Sequence, residues 1–188
     1  MIVKRTVRKA FWNYEKEEKW LNEMAAKGLA LIDYSKGRYV FADCTPGEYI
    51  YRIELLKNPL NHVESQRYLS FMEENNVECI ASSMNWIYFR KKAMEGAFDI
   101  YSDIVSKLAH YKRICFLWSS IVIANLLIGL FNLLFATCFI TTNSKYPNSI
   151  NLFSGVLSLA ISILFFFGLV YPTRKKIKKL QSEQRIRE

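Results

Sequence analysis

The segments LWSSIVIANLLIGLFNLLFATCFI (117–140) and INLFSGVLSLAISILFFFGLVY (150–171) decide the architecture of this chain. From Ile114 to Ser144 there is no Asp, Glu, Lys or Arg, and from Tyr146 to Thr173 there is none again, so Lys145 alone separates two apolar runs. A helix needs roughly 20 mostly apolar residues to cross a hydrocarbon core about 30 Å thick, and each run meets that length. A chain of 188 residues is too small to wrap both runs as buried core helices. The reading is a two-helix transmembrane hairpin with spans at 117–140 and 150–171 and an external loop at 141–149.

Orientation follows from the flanks, because short cytoplasmic segments hold the Lys/Arg excess. Lys107, Lys112 and Arg113 precede the first span, and Arg174, Lys175, Lys176, Lys178 and Lys179 follow the second. The expectation is a multi-pass protein of the cell membrane with both termini cytoplasmic. Trp118 and Tyr171 sit where amphipathic rings prefer the inner headgroup level.

The two spans leave room for one cytosolic domain at 1–97, a connecting helix at 98–116 and a basic cytosolic tail at 172–188. The formal net charge of +9 is uneven. Lys4, Arg5, Arg8 and Lys9 give the first 13 residues +4, and the tail, with seven basic and two acidic residues, carries +5. This polarity points to a lipid surface as a partner, and the five basic residues from Arg174 to Lys179 are the candidate headgroup contacts. No nucleic acid is expected: Arg5, Arg8 and Lys9 lie beside Phe11 and Trp12, but there is no aromatic RNP pattern. Cys44, Cys79, Cys115 and Cys138 form no CxxC pair and are expected as free thiols. The charged N-terminus has no apolar h-region, so the first span is expected to serve as the insertion signal.

Before the hairpin, Met1 to Phe11 suits a strand. Asn13 is placed as an N-cap, followed by Glu15, Glu17 and Glu18 in the first turns of a helix that Gly28 closes. Strands are expected at Leu29–Tyr34, Arg38–Asp43 and Glu48–Leu55, with Pro46-Gly47 supplying a type II turn. Pro59 opens a second helix that packs Leu60, Val63, Phe71 and Met72, and Val77–Ser82 and Asn85–Lys91 complete the strands. The order β-α-β-β-β-α-β-β implies an α+β cytosolic domain, an antiparallel sheet with two helices on one face, loosely ferredoxin-like. After Gly96, Tyr101, Ile104, Val105, Leu108 and Tyr111 recur at helical spacing, predicting one continuous helix from Asp99 to Phe139.

Phe11-Trp12, the run Glu17-Glu18-Lys19-Trp20-Leu21-Asn22-Glu23-Met24-Ala25 ending at Gly28, Tyr39-Val40-Phe41, and Pro46-Gly47-Glu48-Tyr49-Ile50-Tyr51-Arg52 together resemble the bacterial domain of unknown function family 2812 (DUF2812). The resemblance covers roughly residues 5 to 92. It implies a small membrane protein of Gram-positive bacteria, often encoded beside regulators of the PadR type, and it implies no activity.

No nucleophile–base set, metal cluster or phosphate loop is present, so no catalytic residue, metal ligand or cofactor is assigned and the chain is not expected to be an enzyme. His62 and His110 stand without a second ligand at metal spacing and are expected on helix surfaces. The pairs Glu17–Glu18 and Glu73–Glu74 diverge by about 100° on a helix and read as solvated faces and dipole partners. The unusual feature is aromatic content, 15% of the chain. Trp12, Tyr14, Trp20, Tyr49, Tyr51 and Trp86 form the candidate docking patch, with core packing as the alternative use. The leading expectation is a non-catalytic, membrane-anchored protein-interaction module, regulatory or adaptor, whose partner is a regulator or transporter. The alternative is a membrane-tethered sensor that binds a hydrophobic small molecule.

In lipid, helix association depends on small residues and on polar side chains that find partners. Asn125, Gly129, Asn132 and Ala136 share one face of the first span, and Ser154, Ser158 and Ser162 share one face of the second. An antiparallel hairpin is expected to bring Asn132 near Ser158, Ala136 near Ser154 and Asn125 near Ser162. Pairing of the asparagines between chains in a homodimer is the rival arrangement.

Overall fold

The computed structural model describes residues 4–101, 103–140 and 149–187. The chain forms two compact units, Met1–Asp103 and Ile104–Glu188. The expected strand residues Met1 to Val3, and the expected external Lys145 within 141–148, lie outside the described residues.

The first unit runs β1 (Lys4–Arg8), α1 (Tyr14–Ala26), β2 (Leu29–Ser35), β3 (Arg38–Asp43), β4 (Tyr49–Leu55), α2 (Val63–Glu74), β5 (Glu78–Ser83) and β6 (Trp86–Lys92), ending in a short 3-10 turn at Ala93–Glu95. Local chemistry sets these bounds. Asn13 Oδ1 accepts the Glu15 and Lys16 N–H groups at 2.9 and 3.3 Å and so starts α1. Lys36 and Gly37 both take positive φ, +47° and +78°, the two-residue hairpin turn whose twist suits the flanking strands. The second helix begins at Val63, four residues later than Pro59 suggested, because the His62 ring, at 3.2 Å from the Glu64 N–H, supplies the cap. Its buried side is therefore Ser65, Tyr68, Leu69 and Met72, while Val63 and Phe71, expected on that side, are exposed.

The strands make two three-stranded antiparallel sheets, β1-β3-β2 and β4-β6-β5, where the sequence suggested a single sheet. The two halves, β1-α1-β2-β3 and β4-α2-β5-β6, follow the same path. In each, the last strand is central, and the strand before it carries a register shift at the same place, between Leu31 and Asp33 in one and between Cys79 and Ala81 in the other. No sequence repeat announces this duplication.

Each half covers an open edge of the other. The Asn22 side-chain amide accepts the Tyr51 N–H at 2.9 Å and donates to the Tyr51 carbonyl at 3.0 Å, and Glu18 accepts the Ile53 N–H at 2.9 Å, so α1 pairs with the free edge of β4. In return the Leu31 N–H of β2 donates to the Tyr51 hydroxyl at 2.8 Å, and Arg90 donates to the Leu31 carbonyl at 3.2 Å. Side chains thus satisfy strand groups that would otherwise be orphaned at the sheet edges. Replacing Asn22 with alanine is expected to cost about 1–2 kcal/mol, since water takes over only part of the bonding at this half-buried edge. Denaturant unfolding of the whole chain in detergent, followed by tryptophan emission, measures it; an unchanged midpoint would count against the edge-covering role.

Two apolar clusters fill the domain. Leu21, Leu31, Phe41 and Tyr51, each 0% exposed, lie in the first, and Met72, Ile87, Phe89 and Phe98 in the second. Phe98 and Ile100, expected inside the connecting helix, instead pack into the second cluster. The helix consequently begins at Ile104 rather than at Asp99.

The second unit is a helical hairpin. α3 spans Ile104–Ile140; α4 (Ser149–Phe165), a π-helical turn (Phe166–Val170) and α5 (Tyr171–Arg187) return. The Tyr171 N–H bonds to the Phe166 carbonyl, the wider π spacing. Pro172 lacks an N–H and its ring crowds the carbonyl four residues back, so one widened turn lets the helix pass through it. The basic stretch after Tyr171 is therefore helical. Both helices are long and apolar enough to cross a membrane. In their most apolar windows only 11% and 22% of the residues are buried, which separates them from core helices of a water-soluble fold.

Candidate functional site

Glu17 stands on α1 in line with Leu21 and Ala25, one turn apart on the same face, and is 7% exposed. The expectation of a solvated carboxylate is overturned. The Tyr39 hydroxyl of β3 donates to Glu17 Oε1 at 2.6 Å, and the Tyr88 hydroxyl of β6 donates to the same oxygen at 2.7 Å. The carboxylate therefore ties α1 to both sheets. Among the described residues no lysine or arginine offsets its charge.

Aromatic rings surround the three side chains. The Tyr34 ring lies 4.8 Å from that of Tyr39 and 4.4 Å from that of Tyr88, and it is only half-buried. Trp20 meets Tyr39 edge-on at 4.8 Å, Phe11 lies 5.3 Å from Trp20, and Lys9 Nζ sits 4.8 Å from the ring centroids of both Phe11 and Trp20. Burial pushes the Glu17 carboxyl above the ordinary carboxylate range, and the two hydroxyls offset this only in part. Burial and the adjacent charge push the Tyr39 and Tyr88 hydroxyls far up, so they remain donors. The set brings a buried carboxylate and several aromatic rings together at one place.

The raised carboxyl gives a pH signature. Below the unfolded-state value, about 4.3, Glu17 is protonated in both states and its burial carries no charge penalty. As pH rises toward the folded-state value the unfolded chain releases the proton first, and stability falls. Glu17→Gln keeps an oxygen that accepts both hydroxyls but never ionises. The variant is expected to match the parent near pH 4 and to exceed it by about 1–2 kcal/mol at pH 8, read from unfolding midpoints across that range. A gap that stays constant with pH would refute the uncompensated charge.

The proposed docking residues do not form one surface. Tyr51 is fully buried, Trp12 is 63% exposed, and Trp20 belongs to the nest beside Tyr39. Tyr14 and Trp86 meet at 5.3 Å with their rings tilted by 32°, while Tyr49 carries the Arg90 guanidinium at 4.4 Å. Tyr34 and Glu17 were not among the sequence candidates. The spacing of Glu17, Leu21 and Ala25 is the signal that would have found the carboxylate, because Leu21 marks the core face. An open cleft of about 570 Å³ between the end of β1 and the β2–β3 turn is lined by Arg8, Lys9, Lys36 and Arg38. Its charge suits anions, and Arg38 already meets Asp33 at 3.4 Å.

Cys44, Cys79 and Cys115 are free thiols. Among the described residues no group of three or more His, Cys, Asp and Glu is placed to hold a metal. His110, expected at a helix surface, is 1% exposed within the hairpin unit.

In the hairpin two backbones come close at Gly129 and Gly155: a Cβ built on Gly129 would lie 3.2 Å from the Gly155 carbonyl oxygen, and one on Gly155 would lie 3.1 Å from that of Gly129. The Ser162 hydroxyl donates to the Val122 carbonyl at 3.4 Å and to Ser158 of its own helix at 2.9 Å. Ser162 thus meets Val122, about one turn before Asn125, its expected neighbour. Asn125 and Asn132 donate instead to carbonyls of their own helix, Ile121 at 3.0 Å and Ile128 at 2.8 Å. Ala136 is buried, and Ser154 and Ser158 are half-buried on the same side as Gly155. Gly155, absent from the sequence candidates, belongs to this close contact. On α5, Arg174 stacks on Phe166 at 5.9 Å, Lys176 on Tyr111 at 5.6 Å, and Lys179 meets Glu183 at 3.9 Å; Lys175 and Lys178 are exposed.

A family model described as "Protein of unknown function (DUF2812)" matches residues 13–124, from the cap of α1 into the first apolar helix. No curated protein and no solved structure matches the chain.

Proposed function

The chain belongs to the DUF2812 family, whose description names no activity, and we propose that it is a membrane-anchored sensor whose α+β domain binds a hydrophobic small molecule in the nest around Glu17. The observation that carries this reading is a carboxylate 7% exposed, without a cationic partner among the described residues, set among Tyr34, Tyr39, Tyr88 and Trp20. A buried charge lowers stability, and an apolar residue of similar volume would hold α1 to the sheets at no such cost. Aromatic lining with a few convergent polar groups is the usual make-up of a small-molecule site. A second reading, docking of a protein partner such as a regulator or transporter, is favoured by Trp12, 63% exposed beside the nest residue Phe11.

The hairpin serves as the anchor, with both termini on the cytoplasmic side and the basic face of α5 at the inner leaflet. A cysteine introduced at Ser144 should be labelled by a membrane-impermeant thiol reagent in intact cells, whereas one at Ser182 should be spared. The opposite pattern would reverse the topology. For the ligand, the full chain in lipid nanodiscs is screened by thermal unfolding against neutral and charged aromatic compounds. Mass action predicts a raised midpoint for at least one class, weakened by Tyr39→Phe with Tyr88→Phe. No shift with any class, together with unchanged Trp20 emission, would overturn the sensor reading.

A further inference from the structure

We infer that the occupant of the nest is an organic cation, a quaternary ammonium or similarly delocalised group on an aromatic or alkyl body, with Glu17 as its counter-charge. This rests on the sensor reading above and narrows it to a ligand class.

Three observations converge. The first is Glu17 itself, whose Oε1 collects two hydroxyl hydrogen bonds at 2.6 and 2.7 Å while no lysine or arginine among the described residues balances it. The second is the surrounding cluster of rings: Tyr34, Tyr39, Tyr88 and Trp20 pack edge-on or tilted with centroids 4.4 to 4.8 Å apart, and aromatic rings attract cations held over their faces within about 6 Å of a centroid. The third shows that this surface already takes a cation, since Lys9 Nζ lies 4.8 Å from both Phe11 and Trp20, one ring away from Tyr39. An anion would meet the Glu17 charge and the electron-rich faces together, and a neutral ligand would leave that charge uncompensated.

The half-buried Tyr34 ring leans against Tyr39 and Tyr88, tilted by 45° and 38° with centroids 4.8 and 4.4 Å away. It fills the position that a cation would take above those rings, with the carboxylate at their hydroxyl ends. Binding then requires Tyr34, which is partly exposed on β2, to swing aside and give up its hydroxyl contacts with Tyr39 and Tyr88.

Phenyltrimethylammonium and its uncharged carbon isostere tert-butylbenzene have nearly the same shape and differ in charge. Each is titrated against the full chain in nanodiscs, with empty nanodiscs as reference, by ligand-observed NMR and by Trp20 emission. The expected result is at least tenfold tighter binding of the ammonium. Glu17→Gln should remove that preference and leave the isostere unchanged, with a cooperative melting curve required of the variant to establish that it is folded. Tyr34→Ala should tighten the ammonium several-fold by vacating the position. Equal binding of both probes, indifferent to Glu17→Gln, would overturn the cation assignment and leave the sensor reading standing. Binding of neither probe, to the parent or to Tyr34→Ala, would overturn both.

Discussion

Replacing Gly28 with alanine is expected to destabilise the α+β domain by about 3 kcal/mol. Gly28 holds φ at +78°, a region that an L side chain enters at a cost of about 1–2 kcal/mol. The added Cβ would also stand 2.9 Å from the Cys44 carbonyl oxygen, a backbone atom that cannot rotate away. Three bonds cross at this point: the Gly28 N–H to Ala25 and the Gly47 N–H to Ala25, which close α1, and the Cys44 N–H to Gly28, which ties the end of β3 to the start of β2. A shift that relieves the clash therefore disturbs helix, strand and turn together. Gly47 provides the comparison. Its φ is +75°, but a Cβ placed there would meet nothing within 4 Å, so Gly47→Ala should cost only about 1 kcal/mol. Equal losses at the two positions, by denaturant unfolding of the full chain, would show that the close approach to Cys44 is immaterial.

Gly155→Leu is expected to break the hairpin's alignment, with a loss of about 2–3 kcal/mol of helix–helix association. A Cβ at Gly155 would meet Leu133 side-chain carbons at 2.8 Å and the Gly129 carbonyl oxygen at 3.1 Å. The first contact can yield by rotation of Leu133, whereas the second is set by the approach of two backbones. In a membrane there is little hydrophobic drive to compensate, because lipid chains solvate leucine as well as the partner helix does. Cysteines placed at 122 and 162, the positions joined by the Ser162 hydroxyl bond, should form a disulfide within one chain, in high yield and at low protein concentration. Gly155→Leu should abolish that crosslink. Crosslinks formed only between chains would instead place the glycines at a dimer interface.

The amino-acid sequence by itself determined the features that depend on neighbours along the chain. The charge-free runs announce two helices of membrane-spanning length, Asn13 and Gly28 announce the ends of α1, and Pro46-Gly47 announces a turn in which Gly47 has positive φ. Each follows from one residue's backbone preference or from the apolar character of a run, so no distant contact is needed to read it. The family signal is local in the same sense, carried by short motifs around α1 and the strands that follow.

Tertiary structure alone decided what depends on meetings across the chain. Tyr88 is 71 residues from Glu17, and their hydrogen bond exists only because the second half repeats the path of the first and faces it. A glutamate in the first turn of a helix ordinarily serves the helix dipole from solvent, and its neighbours Glu15 and Lys16 gave no hint that Glu17 points inward. The split into two sheets was equally hidden, since strand propensity specifies a pleated segment and not its partner. The register of the hairpin turned on Gly155, which carries no polar group to mark it. Its importance lies in the absence of a side chain where two backbones meet, and only the packed pair of helices makes that absence count.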